Sequence, residues 1–446
     1  MMKFRFSVQK LSLFIAIFCA SWSVSAVETK FATTLSAETG TPLPYAENTG
    51  DFLLGNIKAD EAATVYLTDD ITFFSNATAV YDPLAYDDDV YDFASDDRKV
   101  GIILKEAWLD YSSELWATRI GRQIVSWGKS DVVSVTNVLC PNSYTTLNIQ
   151  DGSDTTLGID AFRLSGHYDA YSVDFYWIPF VRSSVLPTNN EHPIQKLVTE
   201  KFTIDLMKSK EPELKFKNSE FGVKASGYWK WGDASLYGFY GWTRIPEEFE
   251  ISLKQDSEEK LYSSLQGKAN RLVMFGGDAA IPVGDVVVRM EGAFFYNQVV
   301  SALKLDSILK LGSILADSRY TYVNRNKISG VIGVDWMPSG WVLSAQYYGD
   351  AVLGDVSQVF RKRYIHLATA IVSRSFFKDM LSLSMLGALQ FEEWNHAIGL
   401  IATFSATDQL SFYGKVFAIN LLSDIPETIK EYKHWGGITA GVRLKL

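Results

Sequence analysis

The sequence is poor in cysteine and histidine and has none of the common catalytic motifs, which excludes several classes of protein. It contains two cysteines and five histidines in 446 residues. Cys19 lies in a predicted export signal, so Cys140 has no partner for an intramolecular disulfide. The histidines are scattered without metal-ligand spacing. Because no HExxH, G-x-S-x-G or P-loop pattern occurs, we expect no enzymatic activity, no metal and no cofactor.

Basic residues are in deficit and long apolar runs are missing. The formal net charge is −10 at pH 7, which argues against nucleic acid as a partner. After residue 26 no apolar stretch reaches the about 20 residues that a membrane-spanning helix needs. Aromatic residues are instead abundant, at 14%. Membrane barrels place them in two belts at the bilayer surfaces, and we expect Trp116 and Trp127 to lie in these belts.

The first 26 residues have the pattern of a cleavable export signal. Met1–Lys10 is basic, Leu11–Ala20 is apolar but too short to span a bilayer, and Val24–Ala26 supplies small residues for cleavage. We therefore predict a signal peptide over residues 1–26. The mature domain, residues 27–446, is then expected in the outer membrane of the cell.

Segments that alternate apolar and polar residues recur along the mature chain. In Asp285–Asn297 one face carries Val286, Val288, Met290, Phe294 and Tyr296, and the other carries Arg289, Glu291 and Asn297. A period of two is the strand period, so one face meets lipid and the other meets water. A soluble sheet would have Lys and Glu on its outward face where this chain has Trp and Leu.

The links between these segments alternate between short and long. Short links fall at Asp69–Asp70 and Pro338–Gly340, for example, and long links at residues 126–154 and 182–219. Bacterial barrels alternate in this way between tight periplasmic turns and long extracellular loops. We therefore predict an all-β fold, a transmembrane antiparallel up-and-down β-barrel of about 18 strands. The first strand is expected near Phe31–Ser36 and the last at His434–Leu446, with both termini in the periplasm.

One hairpin, residues 104–131, is more specific than generic barrel sequence. It reads LKEAWLDYSSELWATRIGRQIVSWGKSD. The pattern EAxLDY…GRQxxxWGKxD resembles that of an uncharacterised family of large outer-membrane porin-like barrels, related to alginate-export and phosphate-type porins. The resemblance implies an outer-membrane location and a large barrel, and it implies no particular substrate.

The polar residues of this hairpin are the first candidate site. They are Glu106, Arg119, Arg122, Gln123, Lys129 and Asp131. Arg119 and Gln123 share the lumen-facing side of their strand, whereas Arg122 has the opposite parity. We expect Arg122 either to snorkel to the lipid head groups or to turn inward at a bulge. The set is interpreted as a charge network that fixes the following loop in the mouth of the barrel, with direct solute contact as the alternative.

A barrel of about 18 strands is too wide for wall side chains to fill. The charges that alternation assigns to its lumen lean basic: Lys224, Lys230, Arg289, Glu291, Lys415, Arg443 and Lys445. We therefore expect passive passage of small polar solutes, with anions favoured by this balance. The expected partners are outer-membrane lipids and, during biogenesis, the barrel-assembly machinery. Two alternatives stay open, a loop-plugged surface receptor or adhesin and a conduit for hydrophobic or lipid-like cargo.

Three further segments are predicted to be loops. Residues 193–207 and 299–316 carry apolar stripes at helical spacing, and we expect them to constrict the lumen or to cover its mouth. The acidic segment Asp82–Asp97 is expected to be a solvated surface loop.

Overall fold

The computed structural model describes residues 4–6, 28–43, 54–83, 90–95, 99–145, 155–189, 192, 195, 199, 204–255, 261–302, 322–359, 361–421 and 434–446. Within them no helix has the length and apolarity needed to cross a membrane. Much of both apolar stripes, at 193–207 and 299–316, lies outside the described residues.

Twenty-three strands and one short 3-10 helix, Phe216–Asn218, are described. The strands are β1 (Phe4–Phe6), β2 (Glu28–Pro42), β3 (Leu54–Tyr66), β4 (Ile71–Tyr81), β5 (Phe93–Ser95), β6 (Val100–Ser112), β7 (Trp116–Gln123), β8 (Ile159–Tyr168), β9 (Tyr171–Ile178), β10 (Ile204–Lys210), β11 (Glu220–Trp229), β12 (Gly232–Trp242), β13 (Glu248–Gln255), β14 (Leu261–Lys268), β15 (Arg271–Val283), β16 (Val286–Ser301), β17 (Tyr322–Trp336), β18 (Trp341–Val352), β19 (Tyr364–Phe376), β20 (Leu381–Gln390), β21 (His396–Ser405), β22 (Leu410–Asn420) and β23 (His434–Lys445).

Eighteen of these strands form a closed antiparallel barrel, which confirms the predicted fold. The barrel closes where β23 pairs with β2, from Thr34 opposite Lys445 to Pro42 opposite Gly437. Turns of two to four residues join alternate strands at the end where β2 begins and β23 ends. We call this the short-turn end and the opposite one the long-loop end. Strands β10, β14 and β13 form a separate three-stranded sheet.

Alternation along the strands separates an outer surface from an inner one. On β12 the outward Leu236 is 70% exposed, whereas the next residue, Tyr237, is buried against the interior. On β16 Met290 faces outward and Glu291 inward, as the period of two predicts. The outer surface is apolar because lipid covers it in a membrane barrel.

The wall of the barrel is low on one side. β7, β8 and β9 have 8, 10 and 8 residues, whereas β16 and β17 have 16 and 15. β7 pairs only with the part of β6 from Ala107 to Ser112. Beyond it, β5 pairs with β6 at Gly101 and Ile102, and β1 pairs in parallel with β5. The wall therefore has a notch above β7 and β8 at the long-loop end, partly filled by β5.

Candidate functional site

The chain that follows β7 turns into the barrel, and we call residues 124–145 the bore loop. Side-chain and backbone donors of this loop bond to residues on the inner faces of three strands. These residues are Asp233 and Tyr237 of β12, Glu291 of β16 and Gln346 of β18. In the ring of 18 strands β18 lies eight places from β7, and nine places would be directly opposite. The bore loop therefore crosses the bore from one wall to the other.

A single carboxylate holds the middle of the bore loop. Glu291 Oε1 accepts hydrogen bonds from the backbone N–H groups of Lys129 and Ser130, at 2.5 and 2.6 Å. The donors to Oε2 are Ser134 Oγ at 2.8 Å, Val135 N at 3.0 Å and Thr136 Oγ1 at 3.3 Å. The Glu291 side chain is only 5% exposed. Five hydrogen bonds thus compensate the burial of this charge, and we call the arrangement the Glu291 clasp.

Two charge pairs fasten the loop beside the clasp. Arg289 Nη1 bonds Asp131 Oδ1 at 2.6 Å, and Arg289 Nε pairs with Asp335. Lys129 Nζ pairs with Asp233. Asp233 is the second residue of β12 and Asp335 is the last but one of β17. Lys129 and Asp131 therefore lie deep in the bore, near the short-turn end, and not in its mouth as the sequence interpretation had it.

An aromatic side chain seats the start of the bore loop. Trp127 is 1% exposed, and its ring centroid lies 5.9 Å from that of Tyr176, 4.9 Å from Tyr237 and 6.5 Å from Phe239. The prediction that Trp127 lies in a lipid-facing belt is wrong, because the chain has already turned inward at this residue. Gly128 follows with a φ of +96°, and a Cβ there would collide with the Glu291 carboxylate. Only glycine combines this positive φ with the absence of a Cβ.

The hairpin charges do not form the single network that the sequence predicted. They form separate ion pairs with different partners. Arg119 Nε pairs with Asp110 at 2.8 Å, and its guanidinium lies 3.6 Å from the ring centroid of Trp108. Asp110 also pairs with Arg163 at 3.5 Å. Among the described residues this inward-facing group forms no ion pair with the bore loop.

Glu106 and Gln123 hold the point at which β7 turns inward. Glu106 Oε1 accepts a hydrogen bond from the backbone N–H of Ile124 at 3.0 Å. Gln123 is buried, and its Nε2 donates to the carbonyl oxygen of Ala161 at 3.0 Å. Glu106 thus bonds to the first residue of the bore loop, and Gln123 bonds to the backbone of the wall just before it, so both position the loop.

Arg122 neither snorkels to the lipid head groups nor turns into the lumen, the two positions expected from the sequence. Its Nη1 bonds Asp92 at 2.6 Å and its Nε bonds Asp160 at 2.9 Å, and the side chain is buried by the segment that fills the notch. Asp92 was expected on a solvated loop. Alternation gives the parity of Arg122, but no sequence pattern indicates a partner 30 residues earlier in the chain.

On β22 and β23 two of the predicted lumen charges point inward. Lys415 Nζ pairs with Glu38 at 3.2 Å. The guanidinium of Arg443 lies 5.5 Å from the ring centroid of Tyr413, and the side chain is exposed to the bore.

Three predicted lumen lysines have different surroundings. Lys224 on β11 points inward, 5.8 Å from the ring centroid of Tyr237, and forms no ion pair among the described residues. Lys230 lies in the exposed turn between β11 and β12, because β11 ends at Trp229. Lys445 is the exposed last residue of β23. Lys230 and Lys445 therefore lie at the short-turn rim instead of along the bore.

The link between β18 and β19 also bonds to the wall, on the side opposite the start of the bore loop. Arg361, between β18 and β19, pairs with the buried carboxylate of Asp350. Asp350 also pairs with Lys327 at 3.3 Å and accepts a hydrogen bond from Ser329 Oγ at 2.8 Å. Sequence reasoning did not identify this group, since a single arginine in a link gives no periodic signal.

Comparison with protein families gives one match. Residues 48–360 match a family model described as "Protein of unknown function (DUF1302)". This range includes the hairpin 104–131 and the bore loop. No curated protein sequence matches the chain.

Solved structures of similar fold cover nearly the whole chain. OccAB3 of Acinetobacter baumannii has 10% identity and a TM-score of 0.52, with 94% of this chain and 99% of that chain covered. OpdK of Pseudomonas aeruginosa, solved with vanillate, has 6% identity, and OccK2 (OpdF) of the same organism, solved with glucuronate, has 8%. Both have a TM-score of 0.52 and cover 94% of this chain and 98% of theirs. Such low identities show the fold alone, that of outer-membrane porins. The relation to alginate-export porins stays a prediction.

Proposed function

This chain belongs to the DUF1302 family, and from that premise we propose that it is an outer-membrane channel through which small polar solutes pass passively, anions in preference to cations. The bore loop carries the proposal. It bonds to β12, β16 and β18, whereas the inner faces of β2–β4 and β19–β23 form no hydrogen bond or ion pair with it among the described residues. A passage between the bore loop and that wall is the narrowing at which charged side chains select solutes.

The inner charges support a preference for anions. Inner carboxylates such as Glu38 and Asp60 are paired with lysines, at 3.2 and 3.3 Å. Lys224 and Arg443, by contrast, form no ion pair within the part of the chain that is described. Cations without a carboxylate partner attract anions into a narrow passage. Two proteins of similar fold were solved with carboxylate anions, vanillate in OpdK and glucuronate in OccK2.

Planar-bilayer recording of the purified protein tests this function. We expect steady conductance and, in a salt gradient, a reversal potential on the anion-selective side. Lys224→Glu should shift the reversal potential toward cations, because it reverses a charge inside the bore. Lys230→Glu makes the same charge change in an exposed turn and should shift it much less.

Two outcomes would count against the proposal. Cation selectivity of the unaltered protein would refute the anion preference. Absence of conductance in a correctly folded preparation would refute the channel and favour the loop-plugged surface receptor or adhesin.

A further inference from the structure

A cavity of about 560 Å³ lies in the notch of the wall, away from the Glu291 clasp. Its lining includes Tyr91 and Asp92 before β5, Phe93 of β5, Leu104 of β6, Arg122 of β7 and Asp160 of β8. The chain that follows β9 contributes the rest. The volume falls within the range of about 300–1,000 Å³ that is usual for small-molecule sites. The cavity shares no lining residue with the Glu291 clasp.

Much of the lining is apolar and continues onto the surface. The apolar side chains include Phe93, Leu104, Phe180, Val181, Leu186 and Leu214. Phe180 is 49% exposed and Leu214 is 72% exposed. Exposed apolar side chains that join an apolar cavity are typical of a binding site, and here they give an alkyl chain a route inward from the rim.

Two polar groups in the lining have bonding capacity that the described residues leave unused. Arg182 has five N–H donors, yet among the described residues it makes a single hydrogen bond as donor, from Nη1 to the carbonyl oxygen of Gly158 at 3.1 Å, and no ion pair. Burial and the charge of Arg122 lower the pKa of Arg182 more than Asp92, Asp160 and Glu211 raise it. Ser183 is 9% exposed, and its Oγ has no hydrogen-bond partner within the described chain. Buried polar groups are normally bonded, so Ser183 Oγ points to an absent acceptor. Arg182 is only partly buried, and its remaining N–H donors are available to the same acceptor.

The other charges of the lining are already engaged. Arg122 is bonded to both Asp92 and Asp160. Glu211 accepts a hydrogen bond from the backbone N–H of Ser183 at 3.0 Å. Lys208 also lines the cavity, but it is exposed and is not free of partners. Arg182 is therefore the positive charge of the lining that is available to a ligand.

We propose that the notch cavity binds a single-chain amphiphile with a carboxylate head group. The carboxylate bonds to Arg182 and Ser183, and the alkyl chain lies along Phe180 and Leu186 toward Leu214. The charged carboxylate accepts strong hydrogen bonds from the guanidinium of Arg182. Burial of the alkyl chain supplies the remaining binding energy. This site does not depend on the proposed channel function.

Native mass spectrometry of the purified protein with dodecanoate tests the proposal. We expect one bound dodecanoate per chain. Arg182→Gln should lower its affinity at least tenfold, and Arg182→Lys, which keeps the charge, should lower it less. Arg374→Gln is the matched control, because Arg374 lies over Trp341 at the short-turn end, 4.8 Å from its ring centroid, far from the notch. It should leave the affinity unchanged.

Phe180→Gln tests the alkyl chain separately from the head group. Phe180 is half exposed, so this variant should fold, and heat-dependent gel mobility checks that it does. We expect weaker dodecanoate binding with unaltered conductance. Unchanged affinity in both Arg182→Gln and Phe180→Gln would overturn the proposal. Displacement of dodecanoate by equimolar acetate would also overturn it, in favour of a site for free anions. Equal binding of dodecyltrimethylammonium would show that no anionic head group is recognised.

Discussion

Replacing Glu291 by glutamine removes the charge on which the bore loop is held, with almost no change of shape. The amide presents one oxygen and one NH2 group where the carboxylate presents two acceptors. If the NH2 group takes the place of Oε1, the N–H groups of Lys129 and Ser130 lose their acceptor. Hydrogen bonds to charged groups contribute roughly 1.5–3 kcal/mol each. Two lost bonds therefore weaken loop docking by roughly 3–6 kcal/mol.

Single-channel recording measures this change directly. A loss of about 1.4 kcal/mol is a tenfold change in an equilibrium, so the undocked fraction of the bore loop should rise at least a hundredfold. We expect Glu291→Gln to show larger mean conductance and frequent switching between current levels. Glu38→Gln is the control, because Glu38 faces the bore but pairs with Lys415 instead of the loop. If both variants gave the steady currents of the unaltered protein, the clasp would not hold the loop.

Three more predictions concern the bore loop, the buried thiol and the export signal. Gly128→Ala should also increase current switching, because a Cβ there meets the Glu291 carboxylate. Gly284→Ala, at a positive φ in an open turn, should not increase it. Equal behaviour of the two variants would refute the steric argument. Burial raises the pKa of the Cys140 thiol to about 11, so maleimide at pH 8 should label it only after denaturation, and rapid labelling of folded protein would contradict the burial. Mass spectrometry of the exported protein should find Val27 as its first residue, and a chain that retained residues 1–26 would refute the predicted cleavage.

The barrel was predictable because each strand repeats one simple rule. Residues such as Met290 and Glu291 alternate between lipid and interior, and the closing strand His434–Lys445 has the same alternation. The end of a strand is harder to place: alternation assigned Lys230 to the lumen, but β11 ends at Trp229 and Lys230 lies in the turn that follows. A period of two predicts which face of the sheet a residue lies on. Its height along the bore depends on where the strand begins and ends.

Contacts between segments distant in the sequence could not be predicted in the same way. Glu291 was assigned to the lumen, but its partners lie more than 150 residues earlier, in a loop without periodicity. The Arg122–Asp92 pair depends on β7 being too short to cover β6, which alternation does not reveal. Such contacts are set by the closed geometry of the ring and not by local preference.

The bore loop also has a mechanical consequence. A ring of 18 strands around a wide lumen resists stretching along its hydrogen bonds, but it flattens easily into an ellipse. The bore loop ties the β7–β8 side to β16 and β18 across this ring. It therefore acts as a cross-brace that sets the distance between two walls under the lateral pressure of the bilayer. Release of the Glu291 clasp should change the outline of the barrel that the surrounding lipids meet, together with the width of the passage inside.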